Sequence, residues 1–99
     1  MITHVVVFWT DKPVEENRQK LLAKLEPLAG IPGVKNFRCG PAIESPRGAV
    51  DDSYTVAISM DFETAADAEV YQTHPLHVDF IKTCIGTVAK RFVVYDFGV

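Results

Sequence analysis

Residues 71–80 read Tyr-Gln-Thr-His-Pro-Leu-His-Val-Asp-Phe and gather a phenol, Tyr71, and two of the chain's three imidazoles, His74 and His77. An imidazole with an ordinary pKa near ~6.5 takes up or gives away a proton at neutral pH. A phenol hydroxyl donates a hydrogen bond to an oxygen on which negative charge develops. Together these groups can move a proton next to a carbonyl. The third imidazole, His4, lies far away in the chain, among β-branched and aromatic residues.

The elements that must position these groups follow from local rules. Pro75 suits the first turn of a helix, where its missing N–H goes unused, and it biases His74 toward an extended conformation. A helix is therefore predicted to start at Pro75. From there His77, Ile81, Cys84, Ile85 and Val88, with Phe80 beside them, recur at helical spacing and form an apolar face. His77 falls on that face, where an imidazole must find a partner or do chemistry. Thr64 and Asp67 resemble a capping box for a short preceding helix that runs to about Tyr71.

The rest of the chain supplies four strands and one more helix. Residues 2–9 are β-branched or aromatic, with His4, Val6 and Phe8 on one side and Thr3, Val5, Val7 and Trp9 on the other. Both sides are largely apolar, which predicts a central strand covered on both faces. Pro13, followed by Glu15 and Glu16, opens a helix whose stripe is Val14, Leu21, Leu22, Leu25 and Leu28. Residues 34–40 read as an edge strand and 44–52 as a polar loop. Residues 53–62 alternate with a period of two, and 91–97 form a last strand that is apolar on both faces. The order β-α-β-β-α-α-β in one domain, residues 1–99, is ferredoxin-like α+β: a four-stranded antiparallel sheet with helices on one face. The other face, with Val5, Val7 and Trp9, needs cover. A second copy of the chain, packed sheet to sheet, is the simplest one.

Composition narrows the function. A net charge of -3 lacks the electrostatic footprint expected for nucleic acid or an anionic membrane. A 47% hydrophobic content argues for a folded chain, and no run approaches the length of a membrane span. Cys39 and Cys84 are too isolated for a zinc ribbon or a disulfide framework. The expectation is a cytoplasmic protein with reduced thiols and a small apolar or carbonyl-containing ligand.

The opening His4-Val5-Val6-Val7-Phe8, the Ile31-Pro32-Gly33-Val34 turn, the His-Pro-x-His-Val core of residues 74–78 and the terminal Tyr95-Asp96-Phe97 resemble the stress-responsive A/B barrel family, Dabb. The resemblance implies a homodimeric α+β barrel made from two ferredoxin-like sheets. It also implies a candidate activity, because one plant member is a cofactor-free polyketide cyclase. The positions of its working residues match His4, Tyr71 and His77 here. On that pattern His77 is the general acid/base, Tyr71 orients a carbonyl and His4 supports either; Asp96, facing away from Val93 and Tyr95, orients an imidazole.

Other readings stand beside this one. The domain could be a non-catalytic stress-response binding or structural module whose pocket is filled by its own side chains. His74 and His77, with Asp79 or His4, could ligate a metal, and a barrel of this architecture could hold haem on a histidine. His74 also has a plain structural reading as a cap at the start of the helix.

Overall fold

A computed structural model describes residues 1–99. The elements are β1 (Ile2–Thr10), α1 (Val14–Leu25) continued by a 3₁₀ helix (Glu26–Gly30), β2 (Lys35–Pro41), β3 (Val56–Phe62), α2 (Ala65–Thr73), α3 (Pro75–Cys84) and β4 (Ala89–Gly98). The strands form one antiparallel sheet in the order β2-β3-β1-β4. With the helices on one face, this is the predicted ferredoxin-like arrangement.

Register places the chemistry. His4 pairs with Met60 on one side and Asp96 on the other, Val6 with Ile58 and Val94, and Phe8 with Val56 and Phe92. Directly paired residues share a face, so all of these side chains look toward the helices. The core forms where Leu21 and Leu25 of α1, Tyr71 of α2 and Phe80 and Cys84 of α3 meet the β1 and β3 side chains. Each fully buried large apolar side chain contributes about 1.5–3 kcal/mol. Cover is uneven along the sheet. On β4, Phe92 and Val94 remain 44% and 42% exposed, whereas Phe8 and Ile58 are 2% and 3% exposed. A gap is left between the helices and the β4 edge.

The joint between α2 and α3 is built from short-range signals. Thr64 Oγ1 accepts the Asp67 N–H at 3.2 Å and donates to the Asp67 carboxylate at 3.1 Å, which caps α2 as the sequence pattern predicts. His74 is extended, and its Nδ1 accepts the Leu76 N–H at 3.1 Å, capping α3 with Pro75 behind it. The α2 helix continues two residues beyond Tyr71, to Thr73, whose Oγ1 donates to the Glu69 carbonyl. The predicted α3 face is cut short. The helix stops at Cys84, Ile85 is extended, and Gly86 at φ +86° turns the chain. Ile85 and Val88 pack on the core from this turn and not from the helix.

On the face away from the helices, Val5, Val7, Val93, Tyr95 and Phe97 lie side by side. Trp9 is partly covered by its own chain. The Arg91 guanidinium lies 4.1 Å from its ring centroid, and its Nε1 donates to Ser53 Oγ at 3.1 Å. No helix is long and apolar enough to cross a membrane.

Candidate active site

His4, Tyr71 and His77 line one pocket of about 260 Å³ between the sheet and the α2–α3 pair. The β1 pattern turns His4 inward beside Val6, α2 presents Tyr71 from its last turn, and the α3 restart brings His77 alongside. Ring centroids measure 4.6 Å between Tyr71 and His77 and 5.8 Å, edge to face, between Tyr71 and His4. The walls are apolar, with Phe8, Ile58 and Phe80 deep in the pocket and Phe92, Val94 and Ile81 toward its mouth. A larger groove of about 490 Å³ runs between α1 and α3. No imidazole or phenol reaches it, and His4, Tyr71 and His77 meet only at the smaller pocket.

Each polar group is held differently. Tyr71 is 2% exposed, yet its hydroxyl makes no hydrogen bond within the chain. No buried side-chain polar atom is left without a partner, so that oxygen meets open space, and the space beside it is the pocket. Burial pushes its pKa well above the ordinary phenol value, and the hydroxyl stays a donor throughout the neutral range. His77 Nδ1 lies 3.1 Å from the Gln72 carbonyl oxygen. A carbonyl only accepts, so Nδ1 carries the proton and Nε2 is left as an acceptor. Burial lowers the His77 pKa; the Gln72 carbonyl opposes that shift and nearby His4 adds to it. His77 is therefore a neutral imidazole with a free basic nitrogen at neutral pH.

His4, 7% exposed, has its Nδ1 2.5 Å from Asp96 Oδ1. A carboxylate fixes an imidazole's orientation and supports a positive charge on it. The sequence gives Asp96 the side opposite Val93 and Tyr95, and strand parity does bring it to a histidine. Sequence reasoning missed the Gln72 carbonyl, a main-chain group that residue type does not reveal. It also missed Phe92 and Val94, whose shared parity with Asp96 was the available signal.

The metal arrangement does not assemble. His74 Nδ1 is engaged in the α3 cap, and no three His, Cys, Asp or Glu side chains converge.

Comparison with known proteins agrees with the fold. Residues 2–99 match the Stress responsive A/B Barrel Domain family, Dabb. A stress-response A/B barrel domain-containing protein of Arabidopsis thaliana is 35% identical over 96 residues, which cover 96% of this chain and 81% of that one. Among solved structures, a Dabb family protein with a ferredoxin-like fold from Mesorhizobium loti superposes with a TM-score of 0.81 at 25% identity, covering 99% of this chain and 95% of that one. A hydroxynitrile lyase from Passiflora edulis gives 0.78 at 21% identity, over 97% and 90% of the two chains. The family match spans nearly the whole chain, and by it this protein is a member of the stress-responsive A/B barrel (Dabb) family.

Proposed function

We propose that this chain, acting as one domain, is a small-molecule-binding barrel protein that moves a proton next to a carbonyl with its own side chains, as a polyketide cyclase or lyase does. The observation that carries this reading is the convergence of His4, Tyr71 and His77 on one apolar pocket, with a free basic nitrogen on His77 and a free hydroxyl on Tyr71. A bound carbonyl oxygen accepts from Tyr71, and the adjacent C–H lies toward His77 Nε2. When His77 removes that proton, the electron pair moves onto the carbonyl oxygen, where the phenol stabilises it. The imidazolium then returns its proton to carbon or to a leaving oxygen. His4, oriented by Asp96, supports the other two groups from the neighbouring strand. The fold carries an enzyme in Passiflora edulis, a hydroxynitrile lyase, although likeness of fold transfers no reaction by itself.

The test is His77→Ala against a panel of β-dicarbonyl compounds, with enolisation or cyclisation followed by absorbance. Loss of a positioned general base lowers the rate by about 10²–10⁴. Equal rates in the wild type and the variant rule this chemistry out. The apolar walls of the pocket favour a second reading, a non-catalytic binding module; on it the wild type binds these compounds and turns none of them over.

Two further features belong to the proposal. The apolar face of Val5, Val7, Tyr95 and Phe97 is covered by a second copy of the chain, giving a homodimeric α+β barrel. The free thiols, exposed Cys39 and buried Cys84, suit the reducing cytoplasm.

A further inference from the structure

The pocket is one of two cavities that touch His4. A second cleft, about 270 Å³, opens on the other side of the same imidazole beneath α2, and Asp96 and Glu69 give it a polar edge. His4 and Gln72 line both cavities, so these two side chains form the partition between them. Across that partition runs the 2.5 Å bond from His4 Nδ1 to Asp96, whose carboxylate is more than half exposed to solvent.

The two cavities differ in how water reaches them. The mouth of the pocket is rimmed by Ile81, Phe92 and Val94, which are 39%, 44% and 42% exposed. A molecule seated with its carbonyl at Tyr71 lies against that apolar rim and excludes water from it. The polar cleft stays wet, because it lies behind His4.

We infer that the His4–Asp96 pair is a second door for protons: while a ligand fills the pocket, His4 continues to exchange protons with bulk water through Asp96, and His77 is cut off. This inference rests on the ligand-binding reading above. A proton arriving at His4 Nε2 from the bound molecule releases the Nδ1 proton to the Asp96 carboxylate, which passes it to water. The ring is left protonated at Nε2 with a bare Nδ1 facing a carboxylate. That arrangement reverts when Asp96 delivers a proton from water to Nδ1 and Nε2 returns one to the bound molecule. Protons balance over the two strokes: the bound molecule regains its own proton, and the proton on His4 Nδ1 has been replaced by one from solvent. His4 is the group that meets the ligand; Asp96 acts through it as a positioning and relay residue.

The experiment measures exchange of the histidine ring N–H protons with water by NMR, with and without saturating para-ethylphenol as the pocket probe. On adding the probe, exchange at His77 is expected to slow by about tenfold or more while exchange at His4 holds within about twofold. With the probe bound, Asp96→Asn should slow His4 exchange by about a hundredfold, the scale of losing one positioned proton acceptor, and Asp96→Glu should restore it. A merely structural Asp96 would leave the bound-state exchange of a still-folded Asn variant unchanged. If that variant unfolds, the wild-type contrast between His4 and His77 decides. Slowing of both rings on probe binding overturns the relay and leaves the ligand site standing. No perturbation of Tyr71 or His77 signals by the probe overturns the ligand reading, and the relay with it.

Discussion

Tyr71→Phe separates what the tyrosine ring does from what its hydroxyl does. The ring is 2% exposed and packs on Phe62, His4 and His77 at centroid distances of 5.4, 5.8 and 4.6 Å. Deleting the ring, as in Tyr71→Ala, removes that packing and opens a cavity, at a cost of about 3–5 kcal/mol. The hydroxyl makes no bond within the chain, so replacing it with hydrogen should change stability by no more than about 0.5 kcal/mol. In a domain of this size 1 kcal/mol shifts Tm by roughly 4–8 °C. The Phe variant should therefore melt within a few degrees of wild type, while the Ala variant falls by more than about 12 °C on the same scale. Function should move the other way. Loss of one neutral hydrogen bond to a bound carbonyl costs about 1 kcal/mol, or about fivefold in Kd. Loss of a donor to a charge-bearing oxygen costs about 10²–10³ in kcat. Thermal melts run beside binding and turnover of β-dicarbonyl compounds give all four numbers. A Phe variant that melts as low as the Ala variant would mean that the hydroxyl is tied into the core. A Phe variant with wild-type binding and rate would mean that the hydroxyl does not face the ligand.

Three further outcomes are expected. Burial lowers the His77 pKa in the folded chain, so the unfolded chain binds that proton more readily; the corresponding stability is present above the ordinary imidazole value of ~6.5 and is lost as pH falls through the folded one. An NMR titration should place the His77 midpoint below that of an unfolded peptide, and His77→Gln should flatten this part of the stability profile; an unshifted midpoint refutes it. His74→Ala removes the α3 cap and should cost about 1 kcal/mol by chemical denaturation, with ligand affinity unchanged; a matching loss of affinity would give His74 a direct role in the pocket. Tyr95→Asp places a charge on the open sheet face, where Tyr95 is 60% exposed, and should give monomers or insoluble protein. It is a cleaner probe than Trp9→Asp, which also breaks the Arg91 and Ser53 contacts, and an unchanged dimer on size exclusion counts against that interface.

Much of this architecture was readable from the chain because its signals are local. The largely apolar character of both sides of β1 predicts a central strand, and Pro75 after His74 predicts both the helix restart and the cap that His74 makes. Strand parity alone puts Asp96 on the side away from Val93 and Tyr95, and register delivers it to His4. What escaped the reading depends on geometry between elements. Helical periodicity runs on through Ile85 and Val88, and only a glycine at positive φ shows that the helix has already ended. The Gln72 carbonyl acts on His77 because α2 ends beside it. The pocket itself exists because the helices stop short of β4, which depends on packing volumes and not on any motif.

The two imidazoles are alike in sequence terms and unlike in the fold, and that contrast bears on their roles. His77 leans on a main-chain carbonyl, which fixes the tautomer yet offers only a dipole to a positive ring, and burial disfavours the charged form further. Such a ring is suited to begin a cycle neutral and to take a proton only as compensating charge appears beside it. His4 leans on a carboxylate, which fixes the ring's orientation and supports the positive charge that develops when its Nε2 takes a proton. Pairs of titratable groups held in opposed environments are the usual way one site performs both halves of a proton transfer. The division follows from the partners alone, one supplied by the end of α2 and the other by the edge strand. A change at Asp96 should therefore act first on His4 and reach His77 only through the charge that His4 carries.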